Sequence, residues 1–180
     1  MCSAATERRP PTLVVGLGNP ILADDAVGWR IVDAFDQRLS ADAGLRAVIG
    51  PVEVDRLAVG GLGLMERLVG YDRVLIADAA VDGRSVGSVW SGGPNELLRR
   101  PAEHVNSAHD VTLQRAMELA SALGAEVPPN IRVVTVTVAR IGEFAEALSP
   151  AVESAVEPAV DAIIDALVSD AIIGEAARAR

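Results

Sequence analysis

The segment Thr12-Leu-Val-Val-Gly-Leu17 follows Pro10-Pro11 and carries no charge. Apolar positions on successive residues, rather than on alternate ones, predict a short parallel strand buried on both faces. Between Ala26 and Leu39 the period changes. Val27, Ile31, Val32, Phe35 and Leu39 recur at helical spacing, and Arg30, Asp33, Gln37 and Arg38 occupy the opposing face. That is an amphipathic helix with one stripe for the core. Leu45–Val54 predicts a second strand, interrupted near Gly50-Pro51, and Leu62–Val69 a short amphipathic helix after Gly60-Gly61. Arg73-Val-Leu-Ile-Ala-Asp-Ala79 repeats the buried-strand pattern and brings Asp78 near its end. Val86–Trp90 alternates after Asp82-Gly83 and predicts an edge strand, while Ser107–Leu123 predicts a helix that Gly124 ends. Ile131–Val138 is the strongest strand pattern, and Pro150–Val168 closes the chain as a long helix. Strands alternating with helices imply an α/β fold, a three-layer α/β/α sandwich around a mostly parallel, mixed five-stranded sheet. A single domain is expected over residues 12–168, with 1–11 and 169–180 as flexible tails.

Composition narrows the class. A chain of 180 residues is long enough for one core, since a domain of that size buries roughly 70% of the surface its unfolded chain exposes. Half of the residues are hydrophobic and 23% are charged, so disordered and low-complexity scaffolds fit poorly. Lys plus Arg total 16 against 25 Asp plus Glu, a net charge of −9, and no window concentrates basic residues, which argues against a nucleic-acid partner. The lone cysteine, Cys2, excludes an internal disulfide or a cysteine-cluster metal site and suggests a reducing, cytoplasmic setting. Met1–Pro11 lacks the apolar stretch of a secretory signal, and no run of about 18 apolar residues is free of charge, so no membrane span is expected.

Open α/β sheets bind ligands outside the carboxyl ends of their strands, which directs attention to polar residues just after buried strands. Gly16-Leu-Gly-Asn-Pro-Ile-Leu-Ala-Asp-Asp-Ala-Val-Gly28 joins the first strand to the first helix. One of Asp24 and Asp25 could serve as an ordinary helix cap, but two adjacent carboxylates exceed that need. Ile21 replaces the third glycine of a dinucleotide fingerprint and no Lys-Ser or Lys-Thr pair is present, so the loop suits a cation better than a phosphate. Asp78, at the mouth of a buried strand, requires hydrogen bonds, a partner or a metal to offset its desolvation. Asp82 reads as an exposed turn residue with Gly83. Ser107 and Asp110 resemble a capping box, which sets His109 in the first turn of its helix, where the dipole favours the neutral ring. His109 could equally be a surface residue, as could His104. Together, Asp25, Asp78 and His109 are expected to converge on one crevice, two carboxylates and an imidazole suited to a divalent transition metal.

Gly16-Leu-Gly-Asn-Pro-Ile-Leu-Ala-Asp-Asp-Ala-Val-Gly28, followed by Ile76-Ala-Asp-Ala79 and Ser107-Ala-His109, resembles the signature of the hydrogenase maturation endopeptidases, from about Thr12 to the last helix. The resemblance implies a phosphorylase/hydrolase-like fold and a role for Asp25, Asp78 and His109 in metal binding and catalysis. It implies a substrate, the large-subunit precursor of a nickel–iron hydrogenase, from which a C-terminal extension is removed after nickel is installed. Nickel is then supplied by the precursor as the recognition element, with other divalent ions able to substitute. The family is described both as nickel-dependent and as related to aspartic peptidases. Members commonly carry Asp-Gly-Gly-Thr before the second helix, where this chain reads Val59-Gly-Gly-Leu62, so any contact that the segment makes with the precursor is expected to differ here.

Two other readings use the same residues. Gly16-Leu-Gly-Asn-Pro20 also resembles the opening of peptidyl-tRNA hydrolase, yet Ile21–Gly28 holds no histidine and the chain is acidic. A nickel-sensing maturation chaperone that binds the precursor without cutting would keep Asp25, Asp78 and His109. A serine hydrolase is disfavoured because no Gly-x-Ser-x-Gly elbow occurs.

Overall fold

A computed structural model describes residues 12–58, 62–94, 96, 122, 124, 127–142 and 144–178. Strands β1 (Thr12–Leu17), β2 (Val52–Leu57), β3 (Arg73–Ala80), β4 (Val89–Gly92) and β5 (Asn130–Thr137) form one sheet in the order β2-β1-β3-β5-β4. β1 pairs in parallel with β2 and β3, β3 pairs in parallel with β5, and β4 runs antiparallel along β5. The uninterrupted apolar runs therefore lie in the central strands, where both faces are covered. β2, at one edge, is half-buried along its whole length.

Alternate residues divide between two cores. Val14, Leu75, Ala77, Val134 and Val136 face helices α1 (Val27–Ala41) and α5 (Val156–Arg178), and there meet Ile31, Phe35, Ile163 and Leu167. Leu13, Val15, Val74, Ile76 and Val133 face the other way, toward Leu64 and Leu68 of α3 (Leu62–Leu68). The predicted helix Ser107–Leu123 lies outside the described residues apart from Ala122. Phe35 is fully buried between sheet and helices. Its replacement by alanine is expected to cost about 3–5 kcal/mol, since neighbours held by the sheet collapse only partly into the void; urea denaturation reads this directly.

Three predicted boundaries move. The segment expected to open the second strand at Leu45 is instead helix α2 (Ala43–Ile49), because Asp42 caps it by accepting from the Leu45 N–H at 2.9 Å and Gly50, at φ +80°, ends it. Only Val52–Leu57, after Pro51, is strand. The edge strand is Val89–Gly92 rather than Val86–Trp90, with the chain before it turning through Gly87 at φ +84°. The closing helix is split into α4 (Pro150–Glu153) and α5, with a turn at Ser154-Ala155. Pro158 has no N–H to give the Ser154 carbonyl and its ring would clash there, so one continuous helix is unfavourable, whereas the first turn of a new helix accepts it. α5 continues past Val168 to Arg178. Among the described residues, no helix is long and apolar enough to cross a membrane.

Candidate functional site

The loop after β1 is folded tightly against the carboxyl ends of β1 and β3. Gly18, at φ +137°, donates its N–H to the Leu57 carbonyl at 3.1 Å, and a Cβ there would lie 1.9 Å from the Asp25 carbonyl oxygen. Only glycine fits that double constraint. The chain then forms a short 3₁₀ turn, Ala23–Ala26, which packs against β3 and leads into α1. Gly28, in the first turn of α1, lies directly on strand backbone: a Cβ at this position would be 2.2 Å from the Leu17 carbonyl oxygen and 2.5 Å from that of Ala77. These two close approaches bring the turn carrying Asp25 down beside the strand carrying Asp78.

The adjacent aspartates separate in role. Asp24 accepts from the Ser149 N–H at 2.6 Å and from its hydroxyl at 2.9 Å, tying the loop to the start of α4. Asp25 turns inward and is 3% exposed. Its Oδ2 accepts from the Asn19 N–H at 2.8 Å, while Oδ1 is buried with no hydrogen-bond partner among the described residues. Neither side chain caps the 3₁₀ turn or α1. A buried carboxylate oxygen without a donor is costly unless a cation or a substrate group completes it.

Asp78 is 2% exposed on β3, and its Oδ1 accepts from the Ala79 N–H at 2.8 Å. Asp25 thus lies on the 3₁₀ turn that packs against β3, the strand that carries Asp78. His109 and His104 lie outside the described residues, as do Val59, Gly60 and Gly61. Among the described residues no three acidic, histidine or cysteine side chains group so as to hold a metal. The two carboxylates fit a cation in kind, through the uncompensated Asp25 Oδ1, and a further donor would have to come from elsewhere.

Asp82 departs from its expected place as an exposed turn residue. It is buried, accepting from the Thr137 hydroxyl at 2.8 Å and from Arg84 Nε at 2.7 Å. Burial pushes its pKa up, but the hydrogen bonds from Arg84 and Thr137 outweigh that and hold the carboxyl below its usual range. A group whose folded pKa is depressed stabilises the fold fully above its unfolded value, about 3.9, and loses that contribution as pH falls through the folded value. Stability should therefore drop on acidification below about pH 4. Asp82→Asn should flatten that slope and cost about 2 kcal/mol at neutral pH by leaving Arg84 unpaired. Urea midpoints across pH 2 to 7 would measure both effects, and an unchanged slope would contradict the assignment.

A second polar group missed by the sequence patterns joins the β2 edge to α3. Arg67 pairs with Glu53 and Asp55 and donates to the Tyr71 hydroxyl at 2.5 Å, while Tyr71 donates to Glu53 at 2.6 Å. Burial pushes the Arg67 pKa down, but these bonds more than reverse it; burial and the Glu53 bond both raise that of Tyr71. Its placement at the sheet edge is structural, and the signal for it was the alternation of Glu53 and Asp55 along β2.

Comparison with known proteins extends the picture. Residues 57–166 match the family described as hydrogenase maturation protease, HycI. The hydrogenase expression/formation protein HupD of Thiocapsa roseopersicina is 25% identical over 144 residues, 80% of this chain and 62% of that protein. This chain spans under two thirds of the length of such curated relatives. Among solved structures, the hydrogenase maturating endopeptidase HybD of E. coli superposes with a TM-score of 0.65 at 26% identity, covering 89% of this chain and 94% of that one. The [NiFe] hydrogenase maturation protease HybD of Thermococcus kodakarensis has the same fold, with a TM-score of 0.64 at 22% identity over 88% of this chain and 99% of that one. With the family match running from the end of β2 through β3 and β5 into α5, more than half of its length, the chain belongs to the hydrogenase maturation protease family.

Proposed function

We propose that this protein is an endopeptidase that removes a C-terminal extension from the large-subunit precursor of a nickel–iron hydrogenase. The observation that carries the reading is the Asp25 carboxylate, 3% exposed, with Oδ1 unpartnered among the described residues at the carboxyl rim of the sheet. Membership of the family and the likeness to HybD support it. Asp25, Asp78 and His109 are its proposed site residues, His109 on the strength of its motif alone.

Hydrolysis adds water across the scissile C–N bond. The water oxygen joins the carbonyl carbon, one proton leaves through a base, and a proton reaches the departing amine. Asp25 Oδ1 suits the role of base because it has an unused acceptor position in a desolvated setting. Asp78, whose Oδ1 accepts from the Ala79 N–H, would fix the water or the peptide beside it. His109, which its sequence motif sets in the first turn of a helix, would offer a lone pair to a cation or to the reacting water. Nickel enters as part of the substrate, where a divalent cation would polarise the water and the carbonyl. The same residues serve a metal-assisted or an aspartic-type division of labour, and a cytoplasmic setting fits the single cysteine.

Incubation with a nickel-loaded precursor should shorten the precursor at its C-terminus, read by intact mass, and metal-free precursor should stay whole. A stable complex without any shortening would replace the protease reading with a nickel-sensing chaperone.

A further inference from the structure

Three threonines of the sheet are buried, Thr12, Thr135 and Thr137. Two have matched hydroxyls: Thr12 accepts from Arg73 Nε at 3.0 Å, and Thr137 donates to Asp82 at 2.8 Å. Thr135, in the interior of β5 and fully buried, has no hydrogen-bond partner for Oγ1 among the described residues. Valine has nearly the same shape, is at least as favourable in a strand, and would fill this position without a stranded polar group. The hydroxyl is therefore a cost to the fold that packing does not explain.

Its position supplies the explanation. Thr135 is the register partner of Asp78 across the parallel β3–β5 pair. Register partners on adjacent parallel strands present their side chains to the same face, so the hydroxyl and the carboxylate stand side by side at the rim. The Asp78 carboxylate accepts from the Ala79 N–H through Oδ1, and a carboxylate with about four acceptor positions can take several donors at once. We infer that Thr135 is a positioning residue, whose hydroxyl donates to the Asp78 carboxylate when the precursor is seated and holds it in the orientation that cleavage uses. This assignment rests on the protease reading above.

The test is Thr135→Val and Thr135→Ser, assayed on nickel-loaded precursor by intact mass, with melting temperature measured alongside. Thr135→Val is expected to lower kcat about tenfold with KM within about twofold of native, and to melt no lower than native. Thr135→Ser, which restores the donor, should recover kcat to within about threefold. Native turnover in Thr135→Val overturns the inference, and so does a lowered melting temperature in that variant, because the hydroxyl would then have a structural partner. If the native chain itself leaves the precursor whole, the protease reading fails and the inference with it. If the native chain cuts and Thr135→Val cuts equally well, only the inference falls.

Discussion

Asp25→Asn should cut precursor processing by orders of magnitude while leaving the fold about as stable as before. The two effects have one cause. Asp25 keeps one oxygen bonded to the Asn19 N–H and the other unpartnered among the described residues, both out of water. Asparagine retains an oxygen for Asn19 and trades the unpartnered carboxylate oxygen for an amide that is equally without a partner among the described residues, so the melting temperature should hold within a few degrees. Processing should fall by about 10²–10⁴, the usual worth of a positioned base. Asp24→Ala is the contrast. It breaks the tie to Ser149, which should cost about 1 kcal/mol, and leaves the proposed base Asp25 intact, so the rate on nickel-loaded precursor should stay near native. A time course of precursor mass, run beside thermal melts, separates the two aspartates. Native turnover in Asp25→Asn would remove that residue from the site, and a large drop in its melting temperature would make the carboxylate a structural group.

The separation of these neighbours shows where sequence reading ends. Strands β1, β3 and β5 were legible because central parallel strands are apolar on every residue, a signal that needs no knowledge of partners. From that pattern the rim, and with it Asp25 and Asp78, followed by a topological rule. The choice of Asp25 over Asp24 had no physical ground in the pattern itself, since the inward turn depends on Ser149, 125 residues away, and on the fold of Gly18 onto the loop. Asp82 was misread for the same reason. An aspartate before glycine looks like a turn, and only Thr137, 55 residues on, and Arg84 make it a buried acceptor. The α2 error was of another kind. Leu45, Val48 and Ile49 suit either period in so short a segment, and the deciding groups are the flanking Asp42 and Gly50, which cap the helix at its two ends. Thr135 gave no signal at all, because a threonine between valines is what an ordinary strand contains.

Gly28→Ala should be among the most damaging single-atom additions in the chain. The new Cβ would lie 2.2 Å from the Leu17 carbonyl oxygen and 2.5 Å from that of Ala77, far inside van der Waals contact. Neither oxygen can withdraw, because β1 is held between β2 and β3, and β3 between β1 and β5. The start of α1 has to lift instead, and it takes with it Val27 and Ile31, both fully buried against the sheet. A loss of at least about 3 kcal/mol in urea denaturation is expected. Gly50→Ala provides the scale: nothing lies within 4 Å of that site, so only the unfavourable φ of +80° is felt, at about 1 kcal/mol. The consequence for chemistry exceeds the consequence for stability. Lifting α1 moves the turn that holds Asp25 away from the strand that holds Asp78, and a displacement of about 1 Å between reacting groups is worth about 100-fold in rate. Gly28→Ala protein that remains folded at low temperature should therefore still process precursor at no more than about 1% of the native rate. Equal urea midpoints for Gly28→Ala and native protein would mean that helix and strands do not approach so closely, and the route by which the two carboxylates reach one rim would have to be another.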